Sequence, residues 1–107
     1  MARAILILTQ MPDRATAQSL ARSLVEARLA ACVSIGAPVE SLYHWRGQIE
    51  TAEEIPVVVK TRVERYRDVE TAIRSQHPYE LPEILAVPVV DGFANYVDWI
   101  ADETVAN

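Results

Sequence analysis

The sequence predicts an α+β sandwich of order βαββαβ, with a long central hairpin and a short last helix. Three observations carry that reading. Two short apolar runs, Ala4-Ile5-Leu6-Ile7-Leu8 and Ile84-Leu85-Ala86-Val87, lie towards opposite ends of the chain. Two amphipathic segments of helical period stand between them. Two long extended runs, joined by Arg46-Gly47, separate those segments. The 107 residues suit one domain spanning 1–107, and an apolar content of 50% suffices for a core of that size.

The elements follow in order. Residues 3–9 read as a strand buried on both faces, ended by Met11-Pro12-Asp13. Asp13 is a good N-cap for a helix to about Arg28, with Ala17, Leu20, Ala21, Leu24 and Val25 on its apolar face. Residues 31–45 and 48–61 then form the hairpin. With a two-residue loop, Trp45 faces Gln48 and Tyr43 faces Glu50, while Pro38 and Pro56 fall at nearly the same level. Proline lacks a backbone donor, so a break or bulge is expected there. A one-residue bulge also places Val33 opposite Val59 instead of Lys60. Thr61-Arg62-Val63-Glu64 matches a capping box and predicts the start of a second helix, with Val63, Tyr66, Val69 and Ile73 inward. The last strand, 84–90, contains Pro88 and so belongs at a sheet edge. Asn95 is the expected cap of the closing helix, which carries Tyr96, Trp99 and Ile100.

This order is the ferredoxin-like split βαβ arrangement, in which both crossover helices cover one sheet face. The other face would then need cover, because the first and last strands are apolar on both sides. A short C-terminal helix cannot cover a whole sheet, and another subunit is the economical solution. Each hairpin arm of roughly 13 residues spans about 40 Å, so its distal half overhangs a compact domain about 35 Å across. Tyr43 and Trp45 share one face of that overhang and read as interface anchors.

Composition narrows the chemistry. No apolar run approaches the ~18 residues of a membrane helix, and no secretory h-region stands at the N-terminus. A single cysteine, Cys32, excludes an intrachain disulfide framework and fits a reducing, cytoplasmic setting. The net charge of −5, with no Lys/Arg run, argues against nucleic acid. No phosphate-binding glycine pattern occurs, so no organic cofactor is expected. With no Ser-His-Asp or Cys-His arrangement and no strained nucleophile turn, the sequence does not read as an enzyme.

The densest chemistry lies in His77-Pro78-Tyr79-Glu80-Leu81-Pro82-Glu83, where two prolines stiffen a loop holding an imidazole, a phenol and carboxylates. It reads either as a rigid helix-to-strand connector or as the lining of a cleft between subunits. His77 is correspondingly either a hydrogen-bonded structural histidine or a metal or acid–base group. Cys32 is either a small buried hydrophobe or a thiolate ligand, pointing by alternation away from Val33 and towards the uncovered face. The Cys32 thiolate and the His77 imidazole are donors suited to copper or zinc over magnesium, in a site that could be completed only between chains or with Glu80 and water. Glu50, Glu53 and Glu54 read as a solvated acidic edge that discourages strand addition.

Several motifs in one order point further. Ala30-Ala31-Cys32-Val33, Ser41-Leu42-Tyr43-His44-Trp45-Arg46-Gly47, Val59-Lys60-Thr61, the 77–84 segment and Tyr96-Val97-Asp98-Trp99-Ile100 resemble the CutA family of divalent-cation-tolerance proteins, over about residues 5–101. The resemblance implies a ferredoxin-like domain in a homotrimer, a role in tolerance to divalent metals, with copper the usual ion, and a likeness to the trimers of PII signalling proteins. That likeness leaves a second function open, a trimeric signalling or scaffold module whose cleft takes a small ligand or a partner protein. Carried onto this chain, it implies that Cys32 is the family's cysteine and that His77, Tyr79 and Glu80 lie in an inter-subunit cleft lined also by Tyr43, Trp45, Lys60 and the loop's Glu83.

Overall fold

The computed structural model describes residues 3–105; residues 1–2 and 106–107, the ends of the predicted domain, lie outside the described residues. The elements are β1 (Ala4–Met11), α1 (Arg14–Glu26), β2 (Cys32–Ile35), β3 (Val39–Trp45), β4 (Gln48–Arg62), α2 (Tyr66–Gln76), β5 (Leu85–Pro88) and α3 (Ala94–Glu103). They form the predicted ferredoxin-like α+β sandwich. The antiparallel sheet runs β2-β4-β1-β5, and β3 pairs with the outer half of β4.

Alternation along the strands divides this sheet into two unequal faces. Ile5, Ile7 and Met11 of β1 and Ile55, Val57 and Val59 of β4 meet Ala17, Leu20 and Leu24 of α1 and Val69 and Ile73 of α2 in one core. Asp13 caps α1, its Oδ1 accepting the Thr16 N–H at 2.8 Å. The helix closes through Arg28 in the left-handed region (φ 58°), which lets Leu29 and Ala30 N–H reach the Leu24 carbonyl at 2.9 and 3.2 Å.

The hairpin contains the expected bulge. Val33 faces Val59 in β2, whereas Val39 faces Glu54 in β3, so the two ladders differ in register by one residue. The extra residue falls in the 36–38 segment beside Pro56. Gly36 N–H donates to the Pro56 carbonyl at 2.9 Å, and a Cβ on Gly36 would stand 2.9 Å from Pro56 Cγ. At the tip, Arg46 (φ 51°) and Gly47 (φ 80°) both take positive φ, as a two-residue I′ turn requires. The long axis of the molecule is 44 Å against 26 and 23 Å across, and the distal hairpin is largely exposed.

Four local expectations change. Thr61 does not open a helix: the β1 ladder continues to Arg62, Thr61 is buried, and its hydroxyl donates to the Leu29 carbonyl at 2.7 Å. The chain instead passes through a 3-10 turn, Val63–Arg65, into α2. Asn95 lies inside α3, whose first turn is satisfied by the Phe93 carbonyl accepting from Tyr96 and Val97 N–H. The last strand is shorter than expected and pairs only with β1, which gives Pro88 its edge. Finally, neither edge nor central strand is buried on both faces within the chain. Leu6 and Leu8 are half-buried and Leu85 is 57% exposed, because α3 covers only part of the face opposite α1 and α2.

Candidate functional site

The 77–83 loop is anchored where α2 ends. His77 N–H donates to the Ile73 carbonyl at 2.9 Å, so this residue closes the helix and opens the loop. Its side chain is buried (8% exposed). Nε2 is bonded to the Gln10 carbonyl in β1, and Nδ1 accepts the Tyr79 N–H at 3.2 Å. A carbonyl accepts only and an amide donates only, so the proton sits on Nε2 and the lone pair on Nδ1. The imidazole ring also lies against Tyr79, with centroids 4.5 Å apart.

From this anchor the loop reaches its own chain's hairpin. Partial burial pushes the Tyr79 phenol above the ordinary 10.0, helped by the negative charge of Glu54 and, less strongly, by Tyr43 and Asp13. Glu80 pairs with Arg46 at 3.0 Å, and that guanidinium lies 5.3 Å from the Trp45 ring centroid. Both partners of the ion pair are largely exposed, so it orients the loop more than it stabilises the fold. Glu83 is exposed.

The structure therefore gathers Tyr43, Tyr79, Glu80 and Trp45-Arg46 around the loop and hairpin of one chain. Lys60 lies elsewhere. It sits opposite both Cys32 and Leu6 in the sheet, and its Nζ donates to the Tyr96 hydroxyl of α3 at 3.3 Å. Cys32 shares that level. It projects from the face away from Val33, half-buried, with Ser34 Oγ 4.0 Å from its sulfur. His77 is attached at Gln10, and the stretch of β1 from Leu6 to Gln10 alone covers roughly 13 Å. Among the described residues no three His, Cys, Asp or Glu side chains converge as a metal centre would require.

Sequence reasoning missed two residues here. Glu54 is not a solvated edge carboxylate: it is 9% exposed and stands beside Tyr79, while Glu53 and Glu50 are exposed. The signal was its place next to the bulge, where the hairpin returns to the body of the sheet. Arg46, read only as a turn residue, is the partner of Glu80.

Comparison with known proteins follows the same outline. The profile of the CutA1 divalent ion tolerance proteins matches residues 5–103. A divalent-cation tolerance protein CutA of Pectobacterium atrosepticum is 41% identical over 97 residues, which cover 91% of this chain and 88% of that protein. The crystal structure of CutA from Xylella fastidiosa superposes with a TM-score of 0.93 at 39% identity, covering 96% of this chain and 99% of that one. A protein of Archaeoglobus fulgidus, described as a periplasmic divalent cation tolerance protein CutA, superposes with a TM-score of 0.92 at 35% identity, covering 95% and 99%. That last likeness overturns the cytoplasmic placement. A lone cysteine has no intrachain partner in any compartment, so its solitude carries no redox address. Among the described residues no helix is long and apolar enough to cross a membrane. By its profile match and by its sequence and structural likenesses, the chain belongs to the CutA1 divalent ion tolerance family.

Proposed function

We propose that this protein acts in divalent-cation tolerance as a homotrimer that binds copper or a similar divalent cation, without a catalytic step. One observation supports this beyond family membership: the sheet face opposite α1 and α2 is apolar, incompletely covered, and carries Cys32. Leu6, Leu8, Val58, Leu85 and Val87 on that face would gain their burial from other copies. Copies packed through it would bring their Cys32 thiols towards one another. A thiolate suits copper or zinc better than magnesium. Cys32 is the donor we assign to the ion. His77 and Glu80 complete the candidate set, though each would have to give up the partner it now holds.

Size exclusion with light scattering tests the assembly, and a folded monomer at micromolar concentration would sink it. Calorimetry tests the ion: copper(II) should bind more tightly than magnesium, at most one per subunit, and more tightly at higher pH, because metal binding releases protons from its ligands. Cys32→Ser should weaken that binding. Equal affinity in wild type and variant would remove Cys32 from the site. Affinity weaker than ~100 μM, about −5.5 kcal/mol, would be too weak for sequestration.

A second reading is favoured by the engaged state of the loop. With His77 and Glu80 already paired, the Tyr43–Tyr79 region is built to hold a shape, as in a PII-like trimeric module that binds a small ligand or a partner protein in its cleft.

A further inference from the structure

We infer that His77 is a positioning residue that latches the 77–83 loop, and that it is not a metal ligand. This bears on the metal reading above by removing one donor from its candidate set. Neutral imidazole has one lone pair to offer a metal. Here that lone pair is on Nδ1 and is held by the Tyr79 N–H at 3.2 Å. Ligation through Nε2 would require the other tautomer. That tautomer would turn an Nδ1–H towards the Tyr79 N–H, donor against donor, and would strip the Gln10 carbonyl of its partner. Glu80 is paired with Arg46, and Cys32 lies at the level of Leu6 and Lys60, well along β1 from Gln10. The residues present do not fit a soft-metal centre at this loop.

They do fit a latch. The Nδ1 bond to the amide two residues on is the bond an aspartate or asparagine makes in an Asx turn. The longer imidazole adds a second bond across to β1. His77 thus ties the end of α2, the end of β1 and the start of the loop together. That tie fixes the direction in which Tyr79 and Glu80 leave for the hairpin.

The test uses the full-length protein. In 15N-labelled wild type, the His77 side chain should show Nε2 protonated and Nδ1 unprotonated, and one equivalent of zinc(II) should leave both resonances in place. The Tyr79 amide should exchange slowly with solvent. His77→Ala should speed that exchange by about tenfold or more as the loop opens locally. His77→Asn supplies an Asx-type acceptor but is a poor soft-metal ligand, and it should restore most of the protection. A coordination shift at either ring nitrogen on adding zinc would overturn the inference. So would unchanged Tyr79 exchange in His77→Ala, or failure of the asparagine to rescue. Absence of any zinc or copper binding by wild type would defeat the metal reading alone, because the exchange and rescue measurements decide the latch without it.

Discussion

The basal sheet and the distal hairpin use the same kinds of residue to opposite effect. In the basal half, Ile7, Val57 and Val59 are buried against α1 and α2 within the chain. In the distal half, Leu42 and Ile49 remain 66% and 69% exposed on a two-stranded ribbon. A two-stranded ribbon has no hydrophobic face of its own to fold against, so its apolar side chains gain nothing from the chain's own collapse. The lesson is that one half carries its own folding free energy, whereas the other leaves its apolar surface exposed on the chain.

Substitution of a central core residue should show the largest effect. Leu24→Ala removes a fully buried side chain, and denaturant unfolding should report a loss of about 2–5 kcal/mol. Leu42→Ala should fall within about 0.5 kcal/mol when the chain is studied at dilutions where it is monomeric. Comparable losses at the two positions would erase the contrast between the halves.

Trp45→Ala sharpens the contrast from the other side. It should weaken self-association by ~2 kcal/mol or more, read by sedimentation across a dilution series, while the far-UV spectrum stays native. If assembly is unaffected, the hairpin aromatics are not anchors.

The joint between the halves is Gly36. Gly36→Ala places a Cβ 2.9 Å from the Pro56 ring, so the bulge must shift, at a cost of about 1–3 kcal/mol. The loss should appear in thermal melts. A neutral result would mean that the bulge is soft and the two ladders are not held at a fixed offset.

The smallest expected effect is a pH dependence. The phenols of Tyr66 and Tyr79 both titrate above 10.0, the first chiefly through its bond to Glu70, the second chiefly through burial. Their contribution to stability is therefore complete below about pH 10 and is lost as pH rises through the folded-state values, since the unfolded chain releases those protons first. Tyr79→Phe should flatten part of the alkaline decline. An unchanged alkaline profile would mean that the Tyr79 phenol is neither held in its partly buried place nor beside Glu54.

Sequence by itself determined most of the architecture, because the signals involved are local or strictly periodic. Alternation set the faces of the hairpin strands, Asp13 marked the start of α1, and two prolines at one level with Arg46-Gly47 at the tip located both the bulge and the turn. Where non-local bonds compete with a local motif, the motif lost. Thr61 carries a capping-box pattern, but the ladder to β1 and the Leu29 carbonyl claim it first. The site was legible as a loop and opaque as a mechanism. That 77–83 concentrates function-capable groups is plain from composition. That Nδ1 is closed by the loop's own amide and Nε2 by a strand 67 positions away could be decided only by folding. The same holds for the burial of Glu54 and for the pairing of Glu80 with Arg46. A side chain's chemistry depends on which partners occupy its lone pairs and protons, and those partners are brought by the tertiary fold.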